Sequence, residues 1–321
     1  MKAPGKAHRK GLTLLQVTAM FNDEQKAKEW LAEQRWKGRP QCPHCGSTNV
    51  QSWIKHPSQT HRCRECPQRK MFSIKTGTVM EGSNLSYRNW AIGIYQFTTH
   101  LKGISSMKLH RDLGIGQKAA WFMLQRLRKA FDQDVGPFAG PVEVDETYIG
   151  GKEKNKHERK KLKDGRGGVG KAIVVGAKDR DTNQVQAQVA QSIDRDELQE
   201  FVLEQSGQDA EVFTDGAAAY KGMPRTHSSV NHSIGEYVRK RAHTNGIESF
   251  WAMLKRGFQG TFHKMSPKHL DRYINEFAGR HNMRGADTAE QMTRIVAGMV
   301  GKRLTYEQLI ADNGLASGAR G

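Results

Sequence analysis

Val142-Glu143-Val144-Asp145-Glu146-Thr147-Tyr148-Ile149 gives the strongest indication of how the second half of the chain folds. Its side chains alternate between apolar and polar, which is typical of a β-strand with one buried face. The stretch follows Gly136-Pro137, where the character of the preceding sequence changes. Residues 142–149 are therefore predicted to form the first strand of a sheet.

Further strand and helix patterns follow this stretch. Asp194 can cap a helix that ends near residue 205. The predicted elements are, in chain order, strands at 172–177 and 184–191, a helix at 195–205, a strand at 210–214, and helices at 245–258, 267–283 and 288–301. This order predicts a mixed α/β sheet that begins with a three-stranded meander.

Three acids of this half are candidates for one site: Asp145 on the first strand, Asp215 at the end of the fourth strand, and Glu248 on a later helix. The first and fourth strands can be neighbours in such a sheet, so these carboxylates can converge. Converging carboxylates need a compensating cation, and their oxygens suit Mg²⁺ or Mn²⁺. Two ions about 3.5–4 Å apart would activate an attacking hydroxyl and stabilise the leaving oxygen of a phosphodiester.

Other acids compete for these roles. Glu143 and Glu146 lie on the same strand as Asp145, and Glu276 lies on a later helix. Alternation alone does not decide which face of the strand points to the site. Lys255 lies two helical turns after Glu248, on the same side of the helix, where it could hold a DNA phosphate or be an ordinary surface lysine.

The net charge of the chain is concentrated in two regions. The 321 residues include 51 Lys and Arg against 33 Asp and Glu, a formal net charge of +18. Residues 1–70 carry +9 of this excess and residues 152–171 carry +6. Separate basic regions favour binding to a polyanion, with nucleic acid the first expectation. In the second region, predicted to be a loop, the candidate DNA contacts are Lys152, Lys154, Lys156, Arg159, Lys160, Lys161, Lys163 and Arg166.

The apolar patterning disfavours membrane and secreted proteins. No apolar run reaches the ~18 residues that predict a membrane helix. The basic N-terminus has no apolar stretch long enough for a signal peptide. We therefore expect a protein that has no membrane partner and is not secreted.

The four cysteines of the chain, Cys42, Cys45, Cys63 and Cys66, form two C-x2-C pairs. This spacing is typical of a structural zinc site with four thiolate ligands. Disulfides are disfavoured because no secretory signal is present. The intervening residues 50–54 alternate like a short strand, so the unit is predicted to be a zinc ribbon whose folding depends on the metal. Three nearby histidines are expected at the surface or in contact with DNA: His44, His56 and His61.

Helical patterns surround the ribbon. A helix is predicted over 23–36, with Asn22 as its cap, and another over 86–100. Residues 70–83 between them are strand-like, with breaks at glycines. A short helix at 105–113, a glycine turn and a longer helix at 117–131 match the helix-turn-helix pattern. The candidate DNA contacts of this region are Lys118 and Arg126.

Four motifs together resemble insertion-sequence transposases of the ISXO-two-like family, which combine an N-terminal zinc ribbon with a DDE-type domain. The resemblance covers roughly residues 20–285. Thr214-Asp215-Gly216, with Tyr220, lies where the family's second aspartate is expected. The motifs are Arg35-Trp36 with the two cysteine pairs, Phe72-Ser-Ile-Lys-Thr-Gly-Thr78, Val144-Asp145-Glu146-Thr147-Tyr148-Ile149-Gly150-Gly151, and His243-Thr-Asn245-Gly-Ile-Glu248-Ser-Phe-Trp251 through Leu254-Lys255-Arg256-Gly257.

The resemblance implies a ribonuclease-H-like catalytic fold that uses two metal ions to cut and rejoin DNA. The family's first two acids map onto Asp145 and Asp215. Its third ligand is Asn or Glu, and both Asn245 and Glu248 are present here. Glu248 is favoured because its distance to Lys255 matches the usual Glu-to-Lys step of such enzymes. Asn245 could instead ligate through its carbonyl oxygen or position Glu248.

The resemblance also implies the partners and the cellular site. The expected DNA partners are terminal inverted repeats and target DNA, with the freed 3′-hydroxyl attacking the target. Pairing of two DNA ends implies at least a homodimer in the active complex. A cytoplasmic, nucleoid-associated location in a prokaryote is expected.

The predicted domain organisation has five parts. They are an N-terminal helical segment (1–38), a zinc ribbon (39–82), a helix-turn-helix-like region (83–135), a ribonuclease-H-like DDE domain (136–285) and a C-terminal helix with tail (286–321). Two other functions stay open. One is a non-enzymatic zinc-ribbon and helix-turn-helix regulator, and the other is a nuclease of the same fold without strand transfer.

Overall fold

The computed structural model describes residues 11–67, 70–132, 136–151, 161, 168–230 and 243–317. The chain forms two compact units. The first comprises Met1–Gln133 and Met283–Asp312, and the second comprises Asp134–Asn282 and Asn313–Gly321. None of the helices in the described part of the chain is long and apolar enough to cross a membrane.

The first unit is mainly helical. Its core includes Trp90, Phe97 and Met299, all fully buried. Its helices are α1 (Leu14–Met20), α2 (Glu24–Trp36), α3 (Tyr87–Thr99), α4 (Ser106–Leu113), α5 (Gln117–Lys129), α9 (Thr288–Met299) and α10 (Tyr306–Ile310). The cap of α2 is Asp23, whose side chain accepts a hydrogen bond from the Lys26 backbone. The prediction that Asn22 caps this helix was therefore wrong.

Helices α4 and α5 form the predicted helical hairpin. Ser105 caps α4, and Gly114 ends it in the left-handed conformation, with φ +63°, which glycine adopts without steric cost. Arg126 on α5 is buried, and it donates hydrogen bonds to the carbonyls of Leu304 and Glu81. Because its guanidinium is used inside the unit, the prediction that Arg126 contacts DNA was wrong.

A small antiparallel sheet carries the cysteine pairs. Its strands are β1 (Val50–Ser52), β2 (His61–Cys63) and β3 (Met71–Phe72), in that order. Only two residues of the strand-like stretch at 70–83 form a strand, because turns follow Phe72 and are closed by hydrogen bonds such as Thr78 Oγ1 to the Lys75 carbonyl.

His61 is fully buried, contrary to the prediction that it lies at the surface or on DNA. Its ring centroid lies 4.6 Å from that of Trp36 and 5.4 Å from that of Phe72. Burial, together with the nearby positive charge of Arg35, lowers the pKa of His61 to about 4. His61 is therefore neutral at physiological pH and belongs to the ribbon core, whereas His44 and His56 are exposed.

The second unit is built on a mixed five-stranded sheet with the order β6-β5-β4-β7-β8. The strands are β4 (Val142–Ile149), β5 (Ala172–Asp179), β6 (Val185–Ala190), β7 (Glu211–Asp215) and β8 (Thr226–Val230). The helices are α6 (Arg195–Gln205), α7 (Asn245–Gly257) and α8 (Leu270–Asn282). Strands β4, β5 and β6 form the predicted antiparallel meander, and β7 lies parallel to β4.

The two faces of this sheet pack against different helices. Val142 and Val144 belong to an apolar cluster that contains Leu198 and Phe201 of α6. Ile149, on the opposite face of the same strand, belongs to a cluster formed by residues of α7 and α8. Because side chains alternate along a strand, Glu143 and Asp145 point to the α7 face and Glu146 points to the α6 face.

Candidate active site

Strands β4 and β7 bring Asp145 and Asp215 to the same place. Glu143 is paired with Phe213 across the two parallel strands, and Asp145 and Asp215 each follow by two residues. Their side chains therefore share one face at one level of the sheet. Burial, together with the negative charges of Glu146, Asp215 and Glu248, raises the pKa of Asp145 to about 7. The carboxylates of Glu146, Asp215 and Glu248 thus lie close enough to Asp145 to disfavour its charged form.

Asp145 is held by a neutral donor from α7. The indole Nε1 of Trp251 donates a hydrogen bond of 3.0 Å to Oδ2 of Asp145. The indole fits because Gly176 lies opposite Asp145 on β5. A Cβ atom at residue 176 would lie 2.6 Å from Cη2 of Trp251, closer than non-bonded carbons approach.

Glu143 has a different environment from Asp145. Its carboxylate is 1% exposed, and it accepts hydrogen bonds from Arg180 Nε at 2.8 Å and from the Ile247 backbone at 3.0 Å. Arg180 also donates to the carbonyl of His243, just before α7. Glu143 therefore anchors the N-terminus of α7 to the sheet, where an anion is favoured by the helix dipole. Glu143 is thus occupied as a structural anchor, whereas Asp145, on the same face, has no such cationic partner among the hydrogen bonds described above.

Glu146 is held on the other face of β4. The hydroxyl of the fully buried Tyr220 donates a hydrogen bond of 2.8 Å to Oε2 of Glu146. Burial raises the pKa of Glu146, although the bond from Tyr220 opposes this effect. Burial and the charge of Glu146 also raise the pKa of Tyr220, so the phenol stays protonated at neutral pH. This bond ties the turn after Asp215 to β4.

The remaining predicted residues lie on β7 and α7. Asp215 accepts a hydrogen bond of 3.0 Å from the Ala217 backbone. Glu248 is exposed and lies in the first turn of α7. Its Oε1 accepts a hydrogen bond of 2.8 Å from the hydroxyl of Thr244. Asn245 and Lys255 are both exposed, at the first residue and near the end of the same helix.

Glu276, a competing acid, does not join this group. It is fully buried and forms a 2.8 Å ion pair with Arg280 one turn later on α8. The ion pair with Arg280 offsets the free-energy cost of removing the Glu276 carboxylate from water, which gives Glu276 a structural role.

The ribbon holds a group of thiols suited to a metal ion. The sulfur atoms of Cys42, Cys45 and Cys66 lie within 4.8 Å of one another, and within the described ranges this is the only group of three or more such ligands that close together. The sulfur of Cys63 lies 3.6 Å from that of Cys45, and all four cysteines are free of disulfides. Three to four converging thiols on a small sheet fit a structural zinc ion.

Most of the predicted basic loop lies outside the described residues. This applies to Lys152, Lys154, Lys156, Arg159, Lys160, Lys163 and Arg166. Lys161 is described and half-buried. Lys118 is exposed on α5, with its ammonium 4.3 Å from the ring centroid of Tyr306.

Two residues that touch the acids were not predicted to take part in the site. Trp251 and Tyr220 were named only as members of the motifs that resemble the family. Trp251 lies three residues after Glu248, so both side chains share one side of α7. That spacing is the signal that could have placed the indole at the acids.

Comparison with known proteins identifies two transposase domains in the chain. Residues 137–282 match the model of the ISXO2-like transposase domain, and residues 22–74 match that of the transposase zinc-ribbon domain. A relative described as an uncharacterized protein in transposable element ISH50, from Halobacterium salinarum, is 28% identical over 280 residues. The alignment covers 82% of this chain and 92% of that protein.

A solved structure was also matched, the cryo-EM structure of a simian T-cell lymphotropic virus intasome in complex with PP2A regulatory subunit B56 gamma. The match covers 58% of this chain and 64% of that chain, at 15% identity. Its TM-score of 0.27 supports no conclusion about this chain. The two domain models together span more than half of the sequence. Residues 137–282 are thus an ISXO2-like transposase domain, and a transposase zinc-ribbon domain precedes it.

Proposed function

We propose that this protein is the DDE-type transposase of an insertion sequence. In this proposal it binds terminal inverted repeats, hydrolyses a phosphodiester bond at the element's ends, and transfers the freed 3′-hydroxyl to target DNA. The observation that carries the proposal is the group of carboxylates around Asp145, whose pKa is raised by burial and by three neighbouring acids. The sheet order and the parallel pairing of β4 with β7 support a ribonuclease-H-like fold for the second unit.

Asp145, Asp215 and Glu248 are the residues that would hold two Mg²⁺ or Mn²⁺ ions. Carboxylate oxygens suit these cations, and the side-chain charges that raise the pKa of Asp145 are those of Glu146, Asp215 and Glu248. When bound, the ions supply activation of a hydroxyl group and stabilisation of charge on the phosphodiester. Glu146, held by Tyr220, adds negative charge beside the group from the other face of β4.

Three residues position this group. Trp251 orients Asp145 through one carboxylate oxygen and leaves the other oxygen unused by the indole. The anchor formed by Glu143 and Arg180 fixes the start of α7, the helix that carries Glu248. Preorganised ligands of this kind reduce the reorganisation needed for binding and catalysis.

The third ligand has two candidates. Glu248 contributes to the electrostatics of Asp145, which favours it. Asn245 lies three residues earlier on the same helix and is exposed, so it could bind a cation or DNA through its amide. Metal titration of Glu248→Gln and Asn245→Ala distinguishes them, because loss of a ligand lowers metal affinity by more than loss of a neighbour.

The DNA partners follow from the same proposal. The ribbon, the α4–α5 hairpin and the basic residues 152–171 would contact terminal repeats and target DNA, with Lys118 and Lys255 as exposed cations. Such contacts make binding steeply dependent on salt. Two DNA ends require at least two copies of the chain in the active complex, and a chromosomal substrate implies association with the nucleoid.

The test is cleavage of a duplex that carries the element's terminal repeat, with Mg²⁺, followed by capture of joined products on a plasmid. We expect Asp215→Asn to abolish cleavage while the control Asp196→Asn, on the exposed surface of α6, retains it. Binding without cleavage by the wild-type protein would favour a non-enzymatic regulator. Cleavage without joined products would favour a nuclease.

A further inference from the structure

The first unit contains a polar cleft that the proposed reaction does not use. Its volume is about 650 Å³, within the range of small-ligand sites. Its walls come from the ribbon at residues 53–60, the start of α2, and the segment 73–87. The side chains that matter for its chemistry are Trp53, Gln59, Lys28 and Tyr87.

Trp53 presents a large aromatic surface in this cleft. It is 47% exposed, although large aromatic side chains are usually buried. Its backbone has φ +55°, a left-handed conformation that is unfavourable for a bulky residue. Its ring centroid lies 5.6 Å from that of the buried His61, which supports it from the ribbon core. An exposed aromatic side chain held in an unfavourable backbone conformation indicates a functional role.

Gln59 supplies an unused hydrogen-bond acceptor. Its Oε1 is buried and, within the described part of the chain, has no hydrogen-bond partner. Buried polar atoms are rarely left without a partner. Because this oxygen has almost no exposed surface, the Gln59 side chain must turn toward the cleft before it can accept a hydrogen bond from a ligand. The ring and exocyclic N–H groups of nucleobases are donors of this kind.

Lys28 supplies an unused positive charge. Its ammonium lies 5.7 Å from the ring centroid of Tyr87 and, among the described residues, makes no hydrogen bond or ion pair. The neighbouring charges are already used. Lys75 donates to the carbonyls of Ser83 and Leu85, and Glu24 accepts from the first backbone amides of α3. Lys28 is therefore the cation of the cleft that remains available to a phosphate.

We propose that this cleft binds one unpaired nucleotide of a DNA strand. The base stacks on Trp53, donates a hydrogen bond to Gln59, and its phosphate pairs with Lys28. Stacking on an exposed aromatic and a single cation is the pattern by which proteins hold unpaired nucleotides. A paired and stacked base inside a duplex cannot enter such a cleft without being extruded. This inference deepens the proposed function, on which it rests for the choice of DNA as the ligand.

The test compares two fluorescently labelled DNA probes by anisotropy: a blunt duplex, and the same duplex with a three-nucleotide single-stranded overhang. The full-length, zinc-loaded protein is used without Mg²⁺, so cleavage does not enter. We expect Trp53→Ala to weaken binding to the overhang probe about tenfold and to the blunt probe less than twofold. Trp53→Phe, which keeps an aromatic ring on the same backbone, should stay within threefold of wild type on both probes.

Matched controls separate the cleft from general effects. Lys28→Ala should reduce the salt dependence of overhang binding by about one phosphate contact, whereas Lys26→Ala, exposed on the same helix, should not reduce the overhang preference. Met71→Ala removes another exposed apolar side chain of the ribbon and should change neither probe. Zinc content and thermal unfolding verify that each variant is folded.

Three outcomes would overturn the inference. Two of them concern Trp53→Ala: an equal loss of affinity for both probes, or no loss of affinity for either probe. The third is displacement of the overhang probe by 1 mM ATP or dTMP, which would indicate a site for free nucleotides. Failure of the transposase proposal would instead appear as absent cleavage by the wild-type protein. The two failures are therefore distinguishable.

Discussion

Replacing Trp251 with phenylalanine removes one hydrogen bond from the proposed metal site and keeps an aromatic ring against Gly176. The bond that is lost joins the indole Nε1 to Oδ2 of Asp145 at 3.0 Å. A buried hydrogen bond to a charged group contributes about 1.5–3 kcal/mol. If that energy supports the reactive orientation of Asp145, cleavage should slow about 10- to 100-fold, since 1.4 kcal/mol corresponds to a factor of ten.

The same substitution has a pH signature. The indole stabilises the charged form of Asp145, so its removal raises a pKa that already lies near 7. Protons and the metal ion compete for this carboxylate, so the acid limb of the cleavage profile should move to higher pH in Trp251→Phe. Single-turnover cleavage between pH 5.5 and 8.5 measures this shift, and calorimetric titration with Mn²⁺ measures the expected loss of metal affinity without reference to activity.

The control is Phe250→Leu, which disturbs the buried ring beside Trp251 without touching Asp145. A purely structural role of Trp251 predicts that both variants lower thermal stability alike and leave the pH midpoint unchanged. The positioning role would be refuted by an unshifted midpoint and unchanged Mn²⁺ affinity in Trp251→Phe, or by equal shifts in Phe250→Leu.

Further predictions concern the sheet, the acids and the ribbon. Gly176→Ala would place a methyl group 2.6 Å from the indole of Trp251, so we expect about 1–3 kcal/mol lower unfolding free energy in denaturant titrations and slower cleavage, whereas an unchanged midpoint would contradict the packing. The pKa of Asp145 is about 7 in the folded state and about 3.9 in the unfolded state. Between these pH values the folded state therefore binds more protons than the unfolded state. Stability without Mg²⁺ should therefore fall as pH rises from about 4 to about 7, and thermal unfolding of Asp145→Asn should lack this fall. Removal of zinc, or Cys63→Ser, should expose residues of the ribbon to protease, because the small sheet has little core of its own. A ribbon that stays protected after chelation would exclude a structural metal.

Much of the sheet could be predicted because its central strands are apolar or alternate. Element order allowed the first and fourth strands to be neighbours, and the structure pairs β4 with β7 in parallel, which places Asp145 and Asp215 on neighbouring strands. Strand β8 (Thr226–Val230) was not predicted because its sequence, Thr-His-Ser-Ser-Val, has no apolar alternation, and pairing with β7 defines it. The short helices α1 and α10 were missed for a similar reason, since a helix of five to seven residues shows too little periodicity.

The choice among neighbouring acids could not be made from the sequence. Alternation separates Glu146 from Glu143 and Asp145. It does not indicate whether Glu143 or Asp145 is paired with a cationic side chain. That depends on Arg180, which is distant in sequence and reaches Glu143 only when β4 and β5 are paired. Likewise, Arg126 has the residue type and helical position of a DNA contact, and only the fold reveals that its donors are used internally.

Strand β4 therefore carries two acids on one face, Glu143 and Asp145, in different environments. The partner of Glu143 is positively charged, and the partner of Asp145 is neutral. Arg180 neutralises Glu143 and makes it an anchor for α7. Trp251 donates a hydrogen bond to Asp145 without adding positive charge. A cationic partner would compete with a metal ion for the carboxylate, whereas a neutral N–H fixes its direction and leaves its charge available to the metal ion that we propose. The anchor and the site are only two residues apart, so the interaction that docks α7 also brings Trp251 to Asp145.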